Sequence, residues 1–430
     1  MKARRFGGWY LAVVVYATLY GVRLGHPPMK YFDEVYQVTT AQQFLALSGY
    51  RERAHPPLGM ELMAGSIALF GDHPWAWRLV SCLAGLGSLM LIYGITRRLS
   101  NSTRMAWLAV MFFGLDGLAI TQARIGVVHA SMLFWMLLSV WCLLRARCQI
   151  PQVSDTVTYW LMGSGLAFGA ASATRWVGAS IAAVLLVLWV AWWRKSTDRG
   201  RLVRESVVAF IGLPLLVYFG SYLIVPYLEG HDWSSIWTMQ RDMLRYHLTL
   251  AATHRYDAAW WTWPLLLRPI WYGFEAHPVA GGAGRVIDGV LCIGNPLVTW
   301  MVPVGMGYLF WKLGTRKLGT QTNPPTKGKL FVSPLLPMVV LIGFFTQWLQ
   351  WVGVKRVTFF HYFYTAMPFV AIALAAMVER GLARGGMSRR LAMAYLVAVV
   401  AMAAYWYPLW TGLPIPEWYY QHHIWFRSWV

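Results

Sequence analysis

The sequence predicts an all-α polytopic membrane protein, and three observations predict it. Of 430 residues, 58% are hydrophobic and only 13% charged, and mean hydropathy is +0.46. A soluble domain is about a quarter charged. Apolar stretches close to the ~20 residues needed to cross a bilayer recur along the whole chain. The basic residues sit in the connections between these stretches rather than on one face. That spacing excludes a nucleic-acid partner despite a formal charge of +20 from 37 Lys and Arg against 17 Asp and Glu.

Helices are expected near 8–25, 76–95, 105–122, 126–144, 159–174, 177–193, 206–227, 286–310, 333–351, 360–379 and 391–411, eleven spans in one membrane domain. The N-terminal stretch lacks a small-residue cleavage site and reads as an uncleaved first span. Lys2, Arg4, Arg5, Arg97-Arg98, Arg145–Arg147, Arg194–Arg204, Lys312–Lys329 and Arg380–Arg390 then all fall on one side. The positive-inside rule makes that side cytoplasmic, with the N-terminus inside and the C-terminus outside. Residues 312–330 form a cytoplasmic loop. Two larger segments, 26–75 and 228–285, lie on the outer face. Their Trp and Tyr content suits the headgroup layer, so both read as interfacial loops with short amphipathic helices, and simple anchoring is their plainest role. No internal repeat of the kind seen in transporters is visible. Cys82, Cys142, Cys148 and Cys292 lie in or beside apolar stretches without metal-ligand spacing.

Asp33 and Glu34 stand in Tyr31-Phe32-Asp33-Glu34-Val35-Tyr36, just outside the first span. Carboxylates beside a bilayer are costly unless used. A partly desolvated carboxylate is a good base toward a hydroxyl. Asp33 is the expected base, with Glu34 orienting acceptor or scaffold; a solvated acidic turn is the alternative. His55-Pro56-Pro57-Leu58 fixes a rigid turn, which could hold His55 against a ligand or serve only as a turn. Arg124 and Arg175 each lie at the end of tightly joined spans, where a guanidinium suits a lipid phosphate; snorkelling is the bland reading of each. The second outer segment alternates basic and aromatic groups: Arg245-Tyr246-His247, His254-Arg255-Tyr256, Trp260–Pro264 and Arg268-Pro269. Arg255 is a further phosphate candidate, and His254, Tyr256 and Trp263 are candidates to contact a sugar; a headgroup-layer helix would look the same. No Gly-rich nucleotide loop and no His-Glu-x-x-His appear, so neither a soluble nucleotide donor nor a metal is expected. His422-His423 lacks an acidic companion nearby.

Together these pieces resemble the protein O-mannosyltransferase family, within the GT-C class of membrane glycosyltransferases. The resemblance runs nearly end to end. It rests on Phe32–Tyr36, His55–Gly59, Gly165–Gly178, Trp261–Pro269, Gly294–Pro296 and the aromatic run Phe359–Pro368. It implies inverting transfer of mannose from a polyprenyl-phosphate carrier, used as substrate and without a cofactor, to Ser or Thr of translocated proteins. Asp33 would be the base, Glu34 its companion, and Arg124 a phosphate contact. The implied partners are the lipid-linked sugar, a polypeptide acceptor with the translocation machinery, and membrane lipids. The implied location is the bacterial plasma membrane, with the site outside. The chain departs from the family at Arg175, where Lys is usual, and at Val128-His129, where Leu-Asp is usual. It lacks the β-trefoil domain of eukaryotic members. A relative acting on a lipid or glycan, and a transporter, are the competing readings; acids clustered at one face favour surface chemistry over transport.

Overall fold

The computed structural model describes residues 2–147, 155–278, 284–315 and 335–430. Cys148 and most of the expected cytoplasmic loop lie outside the described residues. The chain opens with α1 (Lys2–Gly21), then α2 (Glu34–Ala46) and α3 (Leu58–Phe70). A helical core follows: α4 (Pro74–Ser100), α5 (Thr103–Gly114), α6 (Gly117–Arg124), α7 (His129–Arg147), α8 (Asp155–Thr174), α9 (Ala182–Trp193), α10 (Arg199–Val207) and α11 (Leu213–Gly220). Next come α12 (Trp233–Thr249) and the antiparallel strands β1 (Ile270–Pro278) and β2 (Arg285–Cys292). The chain ends with α13 (Pro296–Thr299), α14 (Val302–Gly314), α15 (Leu335–Leu349), α16 (Met367–Arg384), α17 (Gly386–Thr411), β3 (Ile415–Pro416) and α18 (Glu417–His423).

Six helical segments among the described residues are long and apolar enough to cross a bilayer. They are Pro74–Ser100, His129–Arg147, Trp176–Trp193, Arg199–Tyr227, Phe360–Arg384 and Gly386–Thr411. The pair α5–α6, bent by 64°, makes a seventh if it is one span. Eleven were expected. The apolar helix Leu58–Phe70 is shorter than a full crossing. The bend in α5–α6 is fixed at Asp116, buried in the break. Its carboxylate accepts from Leu118 N at 2.9 Å and from Asn295 N at 2.8 Å. It thus caps α6 and ties the Gly294-Asn295-Pro296 turn to it.

One expectation needs correction. The expected span at 286–310 is not one helix: its first part is strand β2, and helix resumes at Pro296. A short apolar run such as Val290–Ile293 does not by periodicity alone distinguish a buried strand from a helix. Arg285 and Asp288 occupy the less buried end of the strand itself, and Val290–Cys292 its buried end. The fold is helical with little sheet. A three-stranded antiparallel sheet, order β1-β2-β3, lies beside the segment 26–75, which it meets through His26–Asp288 and Phe32–Tyr272. In β1 the register slips between Trp271 and Gly273, leaving Tyr272 as the extra residue of a bulge. Bulges re-aim side chains, and Tyr272 turns inward, buried.

Candidate active site

The site is assembled where the turn before α2, the loop before α7, the turn before α9 and the segment 351–365 meet. Asp33 occupies the N-cap position of α2 with φ −69° and ψ −9°, yet its side chain does not cap the helix. Among the described residues nothing donates a hydrogen bond to its carboxylate, which is half-buried. Desolvation pushes its pKa up to about 6, with the positive charge of Arg175 pulling the other way. Phe32, before it, adopts φ +52°. A bulky residue rarely takes this left-handed conformation. Phe32 is held there by stacking on Tyr272 at 4.4 Å and by edge contacts with Phe359 and His361.

Glu34 faces the other way and is fully buried. Its carboxylate receives Arg78 Nε at 2.7 Å, Arg78 Nη2 at 2.9 Å, Gly126 N at 2.7 Å and Tyr31 N at 3.3 Å. Arg78 spends its remaining donors on the carbonyls of Leu24, Pro27 and Met29. Gln37, one turn further along α2, accepts from Val128 N at 2.9 Å. The acidic helix therefore pins the loop that leads into His129.

Arg124 is buried, and its guanidinium donates to the carbonyls of Tyr20 and Val22 at 2.9 and 2.8 Å and of Arg23 at 3.4 Å. These are carbonyls at and just past the C-terminal end of α1, the usual target of a cation at a helix end. Arg175 stands inside the site. It donates to His129 Nε2 and lies over the Tyr362 ring at 4.9 Å. Arg356 reaches the same ring at 5.7 Å and donates to the Tyr362 hydroxyl at 3.3 Å. Tyr362 in turn stacks on Trp351 at 4.4 Å. Neither guanidinium has a carboxylate partner among the described residues. A small cavity beside them is lined by His129, Arg175, Trp351, His361, Tyr362 and Thr365. Near it, His361 Nδ1, Tyr364 OH, Thr365 Oγ1 and Trp351 Nε1 are buried without partners. Buried polar atoms are ordinarily satisfied, so such a group of orphans marks a place for a polar ligand.

His55 lies on the acidic side of this site. Its ring stacks on His247 at 6.1 Å, and its Nδ1 is buried without a partner. Burial, then Arg175 and His247, holds its pKa well below the ordinary imidazole value. His247 Nε2 donates to the Ala54 carbonyl at 3.0 Å, and burial lowers its pKa to about 4. Glu52 is a second carboxylate in the same field. Desolvation raises it to about 7, reduced by the hydrogen bond from Ala54 N, raised by Asp33 and reduced by Arg175.

The structure thus groups Asp33, His55 and Arg175, and turns Glu34 and Arg124 toward the scaffold. His254 stands at the rim, edge-on to Phe359 at 5.0 Å. Tyr256 packs against His254 at 5.6 Å, and Arg255 lies exposed over Tyr256 at 4.9 Å. Trp263 is buried beneath the Trp351–Tyr362 stack, its indole donating to Ala258 O at 3.0 Å. Sequence reasoning missed Arg78, Arg356 and Glu52. An arginine inside an expected span was the signal for Arg78. For Arg356 the signal was the basic pair Lys355-Arg356 on the side expected to be outer, against the positive-inside trend. No group of three or more His, Cys, Asp or Glu among the described residues is placed to hold a metal.

Fold and site together define a GT-C membrane glycosyltransferase. Over 97% of this chain and 91% of its own, the S. cerevisiae Pmt1–Pmt2 protein O-mannosyltransferase complex bound to the sugar donor superposes with TM-score 0.82 at 15% identity. ArnT from Cupriavidus metallidurans bound to undecaprenyl phosphate does so with TM-score 0.57 at 16% identity, over 94% and 73%. The family model for dolichyl-phosphate-mannose-protein mannosyltransferase matches residues 71–225, and that for the C-terminal four-span region of protein O-mannosyltransferase matches 232–429. The chain belongs to the protein O-mannosyltransferase family. Among its relatives, the polyprenol-phosphate-mannose–protein mannosyltransferase of Mycobacterium tuberculosis is 26% identical over 469 residues, covering 93% of this chain and 86% of the relative. That of Mycolicibacterium smegmatis is 25% identical over 498 residues, covering 99% and 93%.

Proposed function

We propose that this enzyme transfers mannose from a polyprenyl-phosphate carrier to Ser or Thr hydroxyls of proteins at the outer face of the plasma membrane. One observation carries the reading: an unbonded, half-buried carboxylate, Asp33, lies in the field of a guanidinium, Arg175, that has no carboxylate partner. The first suits a base and the second an anionic leaving group.

In this reaction the acceptor oxygen attacks the anomeric carbon as the carbon–oxygen bond to phosphate breaks. The bonding pair leaves with the phosphate, and Asp33 takes the hydroxyl proton. Attack from the face opposite the phosphate inverts the anomeric centre. Charge grows on the phosphate, so fixed guanidiniums stabilise the transition state more than the ground state. Arg175 and Arg356 take this role. Arg124 holds the end of α1, and Arg255 stands at the rim, where a carrier headgroup first arrives. Glu34 holds the turn that aims Asp33. His55, with His247 and Glu52, lines the acceptor side, while His254 and Tyr256 flank the sugar side above Trp263. The segments 26–75 and 228–285 form the outer surface, and 312–330 the cytoplasmic one. The acceptor arrives as a polypeptide emerging from the translocation machinery.

The test is incubation of the purified full chain with polyprenyl-phosphate mannose and a Ser/Thr-rich peptide, read by mass. One added hexose on the peptide supports the proposal. Transfer to a lipid or glycan acceptor in its place would favour the relative acting on those acceptors.

A further inference from the structure

A line of buried contacts runs from the turn that bears the proposed base to the guanidinium proposed to hold the phosphate. Phe32 stacks on Tyr272. The Tyr272 hydroxyl accepts from Gln122 Nε2. Gln122 Oε1 meets His129 Nδ1 at 2.8 Å. His129 Nε2 meets Arg175 Nη1. Gln122, His129, Arg175 and Tyr272 are all at least 95% buried. The protons along this line are settled by the partners. A guanidinium has donors only, so His129 Nε2 accepts. The imidazole proton then sits on Nδ1 and is donated to Gln122 Oε1, which faces it because Gln122 Nε2 is committed to Tyr272. His129 is accordingly a neutral acceptor. It fixes one arm of Arg175 without cancelling its charge, as a carboxylate in the same place would.

We propose that His129 is a positioning residue for the donor phosphate: its Nε2 lone pair orients the Arg175 guanidinium, and Gln122 with Tyr272 fixes the tautomer that makes this possible. The inference rests on the reading of Arg175 as the phosphate contact. The bulge at Tyr272 gives the arrangement its reach, since it turns that ring inward between Phe32 and Gln122. The turn carrying Asp33 and the guanidinium of Arg175 are thus braced by one set of side chains.

The two ends of the imidazole can be tested separately. In His129→Gln the amide lies where Nε2 lies, so its oxygen can accept from Arg175. In His129→Asn the amide lies where Nδ1 lies, so the contact to Gln122 survives and the acceptor for Arg175 is lost. His129→Leu loses both. The experiment measures binding of polyprenyl phosphate to the full chain in nanodiscs, together with donor and acceptor KM, kcat and the thermal midpoint. A hydrogen bond to a charged group corresponds to on the order of ten- to a hundredfold in binding. His129→Asn and His129→Leu are expected to weaken carrier binding and raise donor KM by roughly that factor, with acceptor KM unchanged. His129→Gln is expected to remain close to wild type. Equal losses in the Gln and Asn variants, or losses that simply follow the thermal midpoint, would overturn the positioning role. If the binding pattern holds but the wild type transfers no mannose, the reaction assigned above is wrong and the role of His129 stands. If mannose is transferred and all three variants bind the carrier like wild type, the role of His129 alone is wrong. A wild type that binds no polyprenyl phosphate would overturn both.

Discussion

Glu34 and Arg78 form a buried ion pair in which all four acceptor positions of the carboxylate are filled, two by the guanidinium and two by the backbone N–H groups of Gly126 and Tyr31. Adjacent acids in the sequence therefore do opposite things. Glu34 is fully engaged with the scaffold, and Asp33 is left free to meet substrate. The pair ties the turn after α1, the start of α2 and the loop before α7 into one unit.

Breaking this pair should cost stability before it costs chemistry. Arg78→Met leaves a buried, unpaired carboxylate, an arrangement worth about 3–5 kcal/mol. A marked fall in the thermal midpoint of the detergent-solubilised protein is expected, along with low yield of inserted protein. A wild-type midpoint in Arg78→Met would show that the pair does not hold the outer segment.

Asp33→Asn should behave in the reverse way. A general base contributes on the order of 10²–10⁴ in rate, so kcat should fall by that factor while polyprenyl phosphate still binds. Desolvation raises the carboxyl of Asp33 to about 6. Its contribution to stability is therefore fully present below the ordinary carboxylate range and is lost as pH rises through about 6. Asn removes that loss. The variant should match wild type in midpoint at acid pH and equal or exceed it above neutrality, as thermal scans at two pH values would show.

The pH dependence of kcat/KM should carry an acid limb near 6, because only the ionised Asp33 accepts the acceptor's proton. Glu52, raised to about 7, feels Asp33 and is the later of the two to ionise. Glu52→Gln should therefore keep the limb near 6. A fall in kcat of on the order of 10²–10⁴ in Glu52→Gln, with Asp33→Asn close to wild type, would transfer the base role to Glu52.

Among the arginines, donor use should separate into two groups. Arg175→Ala and Arg356→Ala should raise donor KM and lower kcat, with acceptor KM little changed. Arg124→Ala should lower the thermal midpoint, because carbonyls at the end of α1 lose their donor. Kinetics with donor and acceptor varied separately, beside melting curves, distinguish these outcomes. A large donor-KM effect in Arg124→Ala at unchanged midpoint would restore Arg124 to the phosphate site.

Six or seven of the eleven expected spans were legible, because apolar runs of span length leave few alternatives. Asp33, His55 and Arg175 were legible because charge, imidazole and proline beside a bilayer are conspicuous. The antiparallel strands β1 and β2 were not, since a short apolar run suits a buried strand and a helix alike. Asp33 as base and Glu34 as its companion were expected, but the buried partner that engages Glu34 was not legible either. Neighbouring side chains diverge, and which one meets Arg78, 44 residues further on, is decided by packing. Arg124 and Arg175 looked equivalent in sequence. Only the fold sets one against the carbonyls of α1 and the other against His129 and Tyr362.

The most direct test of the central claim is a single-turnover measurement with saturating polyprenyl-phosphate mannose and a Ser/Thr-rich peptide, comparing wild type with Asp33→Asn at pH 7.5 or so, well above the limb near 6. The account requires hexose on the wild-type peptide, a rate in Asp33→Asn lower by on the order of 10²–10⁴, and carrier binding equal in both. Transfer by Asp33→Asn at a rate close to wild type would contradict it.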